Sequence, residues 1–367
     1  MMPPVQNFRA NFPRYGMGRK RVWRLALVAL AIAAIAWCLT RRRGSSTERF
    51  LGASPPQTIF VSVASYRDVD CSDTIRDIFA KAADPARVMI GICEQNSEDG
   101  HEDCLPDSLA HFRKQVRRLT IPNTEARGPT YGRALIANVL YGGEDYFLQI
   151  DSHTRFVPHW DKLVVEQLAA CPNASRAVLS NYPRSWTEYA KAVEPGAGVP
   201  VLCKSKIDPG TGVPNLEAVI LKPGPKPRRV PFCSGGFLFG PGAMVREVPY
   251  DPTLDFVFVG EEILYAARLF TSGFDIYTPT RNICVHYYGR HDRPHFWSDL
   301  PAAGNIQRVS NAKVRRLLGF EQPPMSSQYP YGMGSARTLA QFWAYARIDP
   351  ATKTANSAQD FCNWNAS

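Results

Sequence analysis

The residues best suited to chemistry lie in the window Tyr146–Trp160, which reads YFLQIDSHTRFVPHW. Its apolar strand ends at Asp151, and His153 follows two residues later. Residues i and i+2 of an extended chain point the same way, so this carboxylate and imidazole can share a metal ion. Together with water they suit manganese or a similar divalent ion, which neutralises a diphosphate and stabilises its charge as it leaves. The alternative interpretation is a capped turn with a surface histidine.

The D-x-H spacing is a weak signal by itself, and the chain contains its own control. Asp99 and His101 have the same spacing but lie in the polar segment EQNSEDGHED, with no strand before them. We interpret them as solvated loop residues. In an open α/β sheet, ligands bind at the carboxyl edge of the strands, which is where the sequence places Asp151. The context therefore favours a site for the diphosphate of a nucleotide sugar.

Strand and helix signals alternate from Thr58 onward, which predicts an α/β fold with a largely parallel sheet and helices on both faces. Apolar and β-rich runs predict strands at Thr58–Ala64, Val88–Cys93, Val116–Ile121, Tyr146–Ile150, Ala177–Ser180, Phe237–Phe239, Ile276–Thr278 and Ile283–Tyr287. Apolar residues at helical spacing predict helices at Asp70–Ala83, Pro129–Leu140, Trp160–Ala170 and Glu261–Phe270. The segment Glu194–Pro231 is rich in Pro and Gly and predicts a long loop. Gln322–Gly334 predicts an irregular surface loop.

The net charge of +10 arises at the N-terminus. Residues 1–43 contain nine Lys and Arg and no Asp or Glu, which leaves 34 bases against 33 acids in the rest of the chain. A nearly neutral remainder argues against a domain that coats DNA or RNA, so we expect no nucleic-acid partner. The chain is 45% hydrophobic and 21% charged, which is close to the globular average and excludes wholesale disorder.

Residues 22–40 (VWRLALVALAIAAIAWCLT) form an apolar run of the length that spans a thin bilayer, about 17–25 residues. More bases precede the run than follow it, which favours a cytosolic N-terminus. We therefore predict a cytosolic basic tail over residues 1–21, a transmembrane signal anchor over 22–40 and a stem over 41–57. The alternative is a signal peptide cleaved near Ala34-Ile35-Ala36. A short span suits early secretory membranes, so we expect a single-pass type II protein of the Golgi or endoplasmic reticulum membrane.

Cysteine usage fits an oxidising lumen. Eight of the nine cysteines lie outside the predicted span, and none forms a C-x-x-C pair, which argues against a structural zinc site. The even number indicates some disulfides, without choosing among the pairings, and free buried thiols are the alternative. Asn173-Ala174-Ser175 and Asn365-Ala366-Ser367 match the N-glycosylation pattern.

A series of motifs between Thr58 and Trp297 resembles a known family. The block GPTYGRALIANVLYGGEDYFLQIDSHTRFVPHWD over residues 128–161 carries the clearest likeness. The others are Ser62–Asp68 (SVASYRD), Pro85–Gln95 (PARVMIGICEQ), Cys233–Gly236 (CSGG), Gly260–Glu262 (GEE) and Val285–Arg290 (VHYYGR). Together they resemble the GlcNAc-transferase family that modifies protein hydroxyproline or Thr/Ser-rich polypeptides. That family is similar to the polypeptide GalNAc-transferases, which implies a Rossmann-like GT-A domain, here over residues 58–320, with a C-terminal extension over 321–367.

The resemblance implies a role for individual residues. The metal ligands would be Asp151, His153 and His286. The donor-binding residues would be Ser65, Arg67, Arg133, Ser234, Gly235, Gly236 and Arg290. The catalytic residues, facing sugar hydroxyls or the acceptor, would be Glu261 and Glu262.

The residues alone leave plainer interpretations open. His286 stands beside Tyr287 and Tyr288, as a simply packed histidine often does. Arg133 is also consistent with a helix-surface arginine, and the Ser-Gly-Gly motif with a turn that enters a strand. The paired glutamates are consistent with a favourable first turn of a helix, where carboxylates interact well with the helix dipole.

These features predict a lumenal, manganese-dependent transferase that moves GlcNAc from UDP-GlcNAc to a hydroxyl on a polypeptide, either Ser/Thr or hydroxyproline. The resemblance implies retention of the anomeric configuration and an α-linkage, with front-side attack because no residue can be named as a nucleophile. The N-terminal anchor departs from the cytosolic hydroxyproline-modifying member. The alternatives are a transferase for another UDP-sugar, a catalytically inactive GT-A-like binding module and a metal-dependent phosphohydrolase.

Overall fold

A computed structural model describes residues 57–98, 102–289, 293–300 and 303–363, which belong to one compact unit that begins at Pro56. The predicted tail and span at residues 1–40 lie outside these ranges, as do Asp99, His101 and Arg290. Among the helices that the structure describes, none combines the length and the hydropathy needed to cross a bilayer.

The strands and helices follow one another in the order β-α-β over most of the unit. In chain order the strands are β1 (Ile59–Tyr66), β2 (Val88–Asn96), β3 (Val116–Pro122), β4 (Tyr146–Asp151), β5 (Thr154–Phe156), β6 (Ala177–Ser180), β7 (Arg184–Ser185), β8 (Val199–Ile207), β9 (Pro214–Leu221), β10 (Arg228–Val230), β11 (Phe237–Pro241), β12 (Asp275–Thr278), β13 (Cys284–His286), β14 (Ile348–Asp349) and β15 (Thr354–Ala355). The helices are α1 (Cys71–Lys81), α2 (Pro129–Leu135), α3 (Trp160–Ala169), α4 (Tyr189–Val193), α5 (Met244–Glu247), α6 (Glu261–Thr271), α7 (Phe296–Asp299), α8 (Ala303–Leu317), α9 (Leu339–Ala346) and α10 (Ala358–Phe361).

An eight-stranded sheet in the order β10-β12-β6-β11-β4-β1-β2-β3 organises the unit. The pairs β4-β1, β1-β2, β2-β3 and β12-β6 are parallel. Strand β11 runs antiparallel to β4 and β6, and β10 runs antiparallel to β12. The predicted α/β fold with a mostly parallel central sheet is therefore confirmed.

Two hydrophobic cores cover the two faces of this sheet. Ile59, Val61 and Val63 of β1 pack in one core with α1 and α3, whereas Phe60 packs in the other. Central parallel strands are covered on both sides, which is why β1 reads as a nearly continuous apolar run. Helix α1 buries Ile75, Ile78 and Phe79, which are spaced three and four residues from their neighbours on one helical face, as its sequence predicts.

The prediction of a long loop over Glu194–Pro231 was wrong. Strands β8 and β9 form an antiparallel hairpin in this segment, and β10 joins the main sheet. A two-stranded ribbon tolerates the prolines because each strand is an edge, and Pro214 stands at the first residue of its strand, where no ladder N–H is needed. The Val199–Cys203 half of β8 is buried, so packing decided the conformation.

The C-terminal part of the chain is more ordered than its polar sequence indicated. Helix α9 buries Phe342 and Trp343 in the same core as Leu264 and Leu269 of α6. Helix α9 begins with a capping box between Thr338 and Gln341, a local arrangement that satisfies free N–H groups of its first turn. The segment predicted as a C-terminal extension thus contributes to the core of the unit.

The described cysteines include both disulfides and free buried thiols, the two alternatives that the sequence left open. Among the described residues, disulfides join Cys71 to Cys104 and Cys203 to Cys362. The second of these ties the β8–β9 hairpin to the chain end beyond α10. The remaining described cysteines, Cys93, Cys171, Cys233 and Cys284, are buried thiols.

Candidate active site

Three predicted metal ligands meet at the carboxyl edge of the central sheet. Asp151 ends β4, His153 lies in the turn after it, and His286 ends β13. Strand β13 pairs with β5 so that His286 stands opposite Thr154, which brings the late histidine back to the early pair. One ligand atom from each residue lies within 4.8 Å of the others. The Nε2 atom of His286 lies 3.1 Å from Oδ2 of Asp151, and the two imidazole centroids are 4.5 Å apart.

This donor set suits a divalent cation. Both histidines are buried, and the partly exposed Asp151 faces a cleft. Burial raises the pKa of Asp151, but the hydrogen bond from His286 and the charge of Arg133 outweigh it and hold the pKa well below its usual range. Asp151 is therefore ionised at physiological pH. One carboxylate with two imidazoles is a mixed oxygen and nitrogen set that manganese accepts.

Arg133 is a buried cation at the centre of the site, not a helix-surface residue. Helix α2, which begins with Pro129 after Gly128 at a φ of 87°, packs against β1 and β2. The Arg133 guanidinium donates to the Glu261 carboxylate, and at 3.0 Å each to Oδ1 of Asp151 and the carbonyl oxygen of Gly235. Burial lowers the pKa of Arg133, but the charges of Glu261 and Asp151 raise it above its usual value.

The Ser234-Gly235-Gly236 turn passes close to the metal-binding carboxylate. A Cβ on Gly236 would lie 3.0 Å from Oδ2 of Asp151, and one on Gly235 would lie 2.9 Å from Nη1 of Arg133. Residues without a side chain permit this approach. The Gly235 carbonyl also accepts a 2.7 Å hydrogen bond from Gln149 Nε2. A side chain at either position would displace Arg133 or Asp151, so glycine at both positions fits the close packing of the site.

Glu261 and Glu262 open α6 in two different environments. Glu261 pairs with Arg133, whereas Glu262 accepts hydrogen bonds from the Gly235 N–H at 2.8 Å and from the Tyr182 hydroxyl. Burial raises the pKa of Glu261 despite the charge of Arg133. Burial also raises the pKa of Glu262, to about 7, although its hydrogen bonds from Tyr182 and Gly235 oppose the shift. Glu262 is therefore a carboxyl group whose charge changes near neutral pH.

Glu262 gives the folded protein a pH dependence that a glutamine would remove. A carboxyl group whose pKa is raised on folding adds stability that is full below the unfolded value and is lost as the pH rises through the folded one. We expect wild type to lose about 3 kcal/mol more than Glu262→Gln in the free energy of unfolding between pH of about 5 and 8. Glutamine can still accept from Gly235 and contact Tyr182. Denaturant unfolding across this pH range measures the difference, and parallel profiles would contradict the assignment.

The site opens into a cleft of about 440 Å³. Of the predicted site residues, Arg133, Asp151, His153, Ser234, Gly235, Gly236, Glu261, Glu262 and His286 line it. Its aromatic lining was not predicted from the sequence and includes Tyr66, Tyr182, Phe258, Tyr288 and Trp297. Phe258, Tyr288 and Trp297 are 50–58% exposed, and Phe258 packs edge-on against Trp297 at a centroid distance of 5.6 Å.

Ser65 and Arg67 do not line this cleft. Neighbouring residues of a strand point to opposite faces, and Ala64 and Tyr66 are the residues of β1 that line it. Arg67 instead pairs with Glu102 at 3.0 Å and with Asp299 at 2.8 Å. The alternation along β1 was the available signal for choosing Tyr66. Arg290 lies outside the described residues.

Asp68, just after β1, is a second residue that sequence reasoning missed. Its side chain is fully buried, and Oδ2 lies 2.7 Å from Nδ1 of His153. The Ser152 hydroxyl donates to the same oxygen at 2.5 Å. Its position at the carboxyl end of a central strand was the available signal, because that edge is where side chains converge on a ligand.

A family model and several solved structures are similar to this chain. A family model described as "Glycosyltransferase (GlcNAc)" matches residues 58–109 and 104–352. The crystal structure of GalNAc-T7 with UDP, GalNAc and Mn2+ is similar at a TM-score of 0.52 and 11% identity, over 83% of this chain and 57% of that one. S. aureus TarS 1-349 aligns with a TM-score of 0.40 and 11% identity, over 70% of this chain and 69% of that one.

A third solved structure is the mannosyltransferase PcManGT from Pyrobaculum calidifontis in complex with GDP-Man and Mn2+. It aligns with a TM-score of 0.43 and 14% identity, over 89% of this chain and 92% of that one. No curated protein matches the sequence.

The comparisons differ in what they establish. At 11% identity the likeness to GalNAc-T7 shows the fold alone, and this chain spans 57% of that protein's solved chain. The family model is more informative because its two matches together run from residue 58 to residue 352 and contain the whole cleft. The chain therefore belongs to the Glycosyltransferase (GlcNAc) family.

Proposed function

We propose that this glycosyltransferase moves GlcNAc from UDP-GlcNAc to a hydroxyl group of a polypeptide and that it depends on a divalent cation. The observation that carries the proposal is the convergence of Asp151, His153 and His286 on the cleft in a chain of the GlcNAc family. GalNAc-T7, whose fold is similar, was solved with UDP, GalNAc and Mn2+, which supports a nucleotide-sugar donor and a manganese ion here.

The three ligands would hold the ion at the carboxyl edge of β4, with Mn2+ as the proposed cation. When bound, it supplies positive charge against the leaving diphosphate. The chain positions these residues before any ligand binds. Arg133 holds Oδ1 of Asp151, while the β5–β13 pairing fixes His286.

The Gly235-Gly236 backbone is the proposed support for the donor sugar. Arg133 and Gln149 both donate to the Gly235 carbonyl. Glu262 accepts from the Gly235 N–H. With both backbone polar groups of Gly235 engaged, the turn is held in one place. A protein surface that is already oriented lowers the entropy cost of binding the sugar nucleotide and of reaching a reactive geometry.

Given the retention that the family resemblance implies, the carboxylates of the cleft favour front-side attack over a covalent intermediate. Glu261 is paired with Arg133, and Glu262 already accepts from Tyr182 and Gly235, so neither is poised as a nucleophile. In the proposed reaction the acceptor oxygen bonds to the anomeric carbon while the bond from that carbon to the diphosphate oxygen breaks. The acceptor proton passes to the departing diphosphate, and the product has an α-linkage. Glu262 would bind sugar or acceptor hydroxyls.

A polypeptide acceptor suits the mouth of the cleft. Phe258, Tyr288 and Trp297 expose about half of their surface there. Among the described lining residues, the charged side chains of Arg133 and Glu261 are buried. Aromatic rings at the mouth of a binding site offer a large contact area and tolerate neutral partners. The proposed acceptor is therefore an uncharged stretch of polypeptide that carries a Ser, Thr or hydroxyproline hydroxyl.

The donor proposal predicts that UDP-GlcNAc is used in preference to UDP-GalNAc and UDP-glucose. The measurement is UDP release from each sugar nucleotide by the purified full-length protein with Mn2+, with and without hydroxyl-bearing peptides. A strong preference for another UDP-sugar would overturn the donor while leaving the glycosyltransferase assignment intact. If every donor bound without turnover, an inactive binding module would be favoured instead.

We also propose that the protein is a type II membrane protein of the Golgi or endoplasmic reticulum with a lumenal catalytic domain. The apolar run at residues 22–40 and its basic flanks support this topology. Asn173 is exposed before β6, and its Oδ1 accepts from Ser175 Oγ at 2.9 Å. Since β6 runs parallel to β4, Asn173 lies at the sheet edge opposite the metal ligands, where a glycan would leave the cleft open.

The topology predicts a glycan on Asn173. Protein expressed in secretory cells should show a mass shift that a glycosidase removes and that Asn173→Gln lacks. Asn365→Gln is a matched control for the second N-glycosylation motif, at the end of the chain. Detection of a mature N-terminus near Trp37 would contradict the anchor and favour a cleaved signal peptide.

A further inference from the structure

A carboxylate with no exposed surface lies directly behind one of the metal ligands. Asp68 follows β1 and is 0% exposed. Its Oδ2 lies 2.7 Å from Nδ1 of His153 and accepts from the Ser152 hydroxyl, while Oδ1 accepts from the Asp70 N–H at 3.1 Å. Burying a carboxylate is costly unless it is paired and hydrogen-bonded. These contacts offset that cost, and the question is what a carboxylate does at this position.

The contacts determine where the proton of His153 resides. An ionised carboxylate only accepts hydrogen bonds, and Asp68 already accepts from Ser152 and from the backbone of Asp70. With Asp68 ionised, Nδ1 of His153 is the donor in this contact. In the neutral ring the other nitrogen, Nε2, then carries the lone pair. That is the nitrogen left to join Asp151 and His286 in the ligand group.

We propose that Asp68 is a positioning residue that sets the tautomer and ring orientation of His153 for metal binding. This role rests on the proposed metal-dependent function. Imidazole ligands commonly donate their second ring N–H to a carboxylate, which orients the ring and makes it a better ligand. The backbone is held as well, because the His153 carbonyl accepts from the Tyr287 N–H at 3.1 Å. Ring and backbone are thus both fixed before an ion arrives.

Asp68→Asn tests the role through metal affinity. Asparagine can present either an oxygen or an NH2 group to Nδ1, so it no longer dictates the tautomer. We expect Mn2+ to bind the variant about 10–100-fold more weakly than wild type, as measured by calorimetry on the full-length protein. Ser152→Ala leaves the Asp68–His153 contact in place and is expected to keep an affinity close to wild type.

Asp161→Asn is the matched control for the loss of a buried carboxylate. Asp161 is 1% exposed and accepts from the backbone N–H groups of Ala83 and Asp84, away from the ligands. Its substitution is expected to lower the melting temperature and to leave Mn2+ affinity unchanged. An equal loss of affinity in Asp161→Asn and Asp68→Asn would show a general structural effect and overturn the proposal.

The tautomer is measured separately by nitrogen NMR on protein labelled with 15N-histidine. The chain has seven histidines, and the signals of His153 are those lost in His153→Gln. We expect wild type to carry the proton on Nδ1 and Asp68→Asn to lose that preference. A proton on Nε2 in wild type would overturn the proposal even if Asp68→Asn did not fold.

Two further outcomes separate this proposal from the proposed function. Wild-type Mn2+ affinity in a folded Asp68→Asn would overturn the role of Asp68 alone. A wild-type protein that bound no Mn2+ would overturn the proposed metal dependence, and the role of Asp68 with it.

Discussion

Asp151→Ala is expected to remove nearly all glycosyl transfer and donor hydrolysis while the protein stays folded. Asp151 supplies the carboxylate of the ligand group and its charge is stabilised by His286 and Arg133. Loss of the ion's stabilisation of a leaving group is worth several kcal/mol, which corresponds to a rate loss of roughly a thousandfold. UDP release measures the turnover, and the far-ultraviolet circular dichroism and melting temperature report the fold.

The control for this variant is Asp99→Ala, which alters the same D-x-H spacing in a polar segment of the sequence. We expect it to retain wild-type turnover because the ligand group found among the described residues is Asp151, His153 and His286, whereas Asp99 lies in a polar segment of the sequence. Equal losses in the two variants would contradict the argument from context. Full activity in Asp151→Ala would remove Asp151 from the metal site.

Arg133→Met is expected to give the largest loss of stability among the substitutions discussed. Arg133 is 5% exposed and pairs with both Glu261 and Asp151. Methionine fills part of the volume but leaves these carboxylates facing each other without a cation. Removing one partner of a buried ion pair costs about 3–5 kcal/mol, which for a unit of this size corresponds to a fall in melting temperature of roughly 10 °C. Thermal unfolding measures the shift.

Arg113→Met is the matched control, since Arg113 pairs with Asp107 at 2.8 Å on an exposed surface. Exposed pairs contribute about 0–1 kcal/mol, so its melting temperature should stay near wild type. Similar shifts in the two variants would contradict the view that the Arg133 cluster is buried and tightly coupled. Because Arg133 also holds Asp151 and the Gly235 carbonyl, we expect Arg133→Met to lower turnover too.

Local patterns were sufficient to predict the framework and the start of the site. Apolar runs such as the one in β4 must be covered on both faces, so they predict a central sheet and place Asp151 at its carboxyl edge. The D-x-H spacing identifies His153 in the sequence, although the structure holds it in a turn after β4 rather than in an extended strand. The helical spacing in α1 and α6 depends on neighbours within two turns of the helix, and these are visible in the sequence.

Long-range packing decided features that no local pattern contains. The hairpin of β8 and β9 contains Pro and Gly that favour a loop, but its buried face against the core outweighed that local preference. Helix α9, in contrast, has local signals of its own, namely the capping box of Thr338 and Gln341, and its Phe342 and Trp343 pack in the core. In the hairpin the burial of a few apolar residues against distant elements determined the conformation, and tertiary context routinely overrides propensity in this way.

By itself, the sequence of this protein determined which residue types stand at the ends of which strands. It placed Asp151 at the end of one strand with His153 two residues later, and placed His286 at the end of a later strand. Only the tertiary structure decided that Arg133 turns inward to join Asp151 and Glu261 and that Asp68 lies behind His153. Asp68 and His153 are 85 residues apart in the chain, and their contact depends on the register between parallel strands β1 and β4. That register is set by the whole buried sheet, because a shift of one residue would turn every apolar side chain to the opposite face.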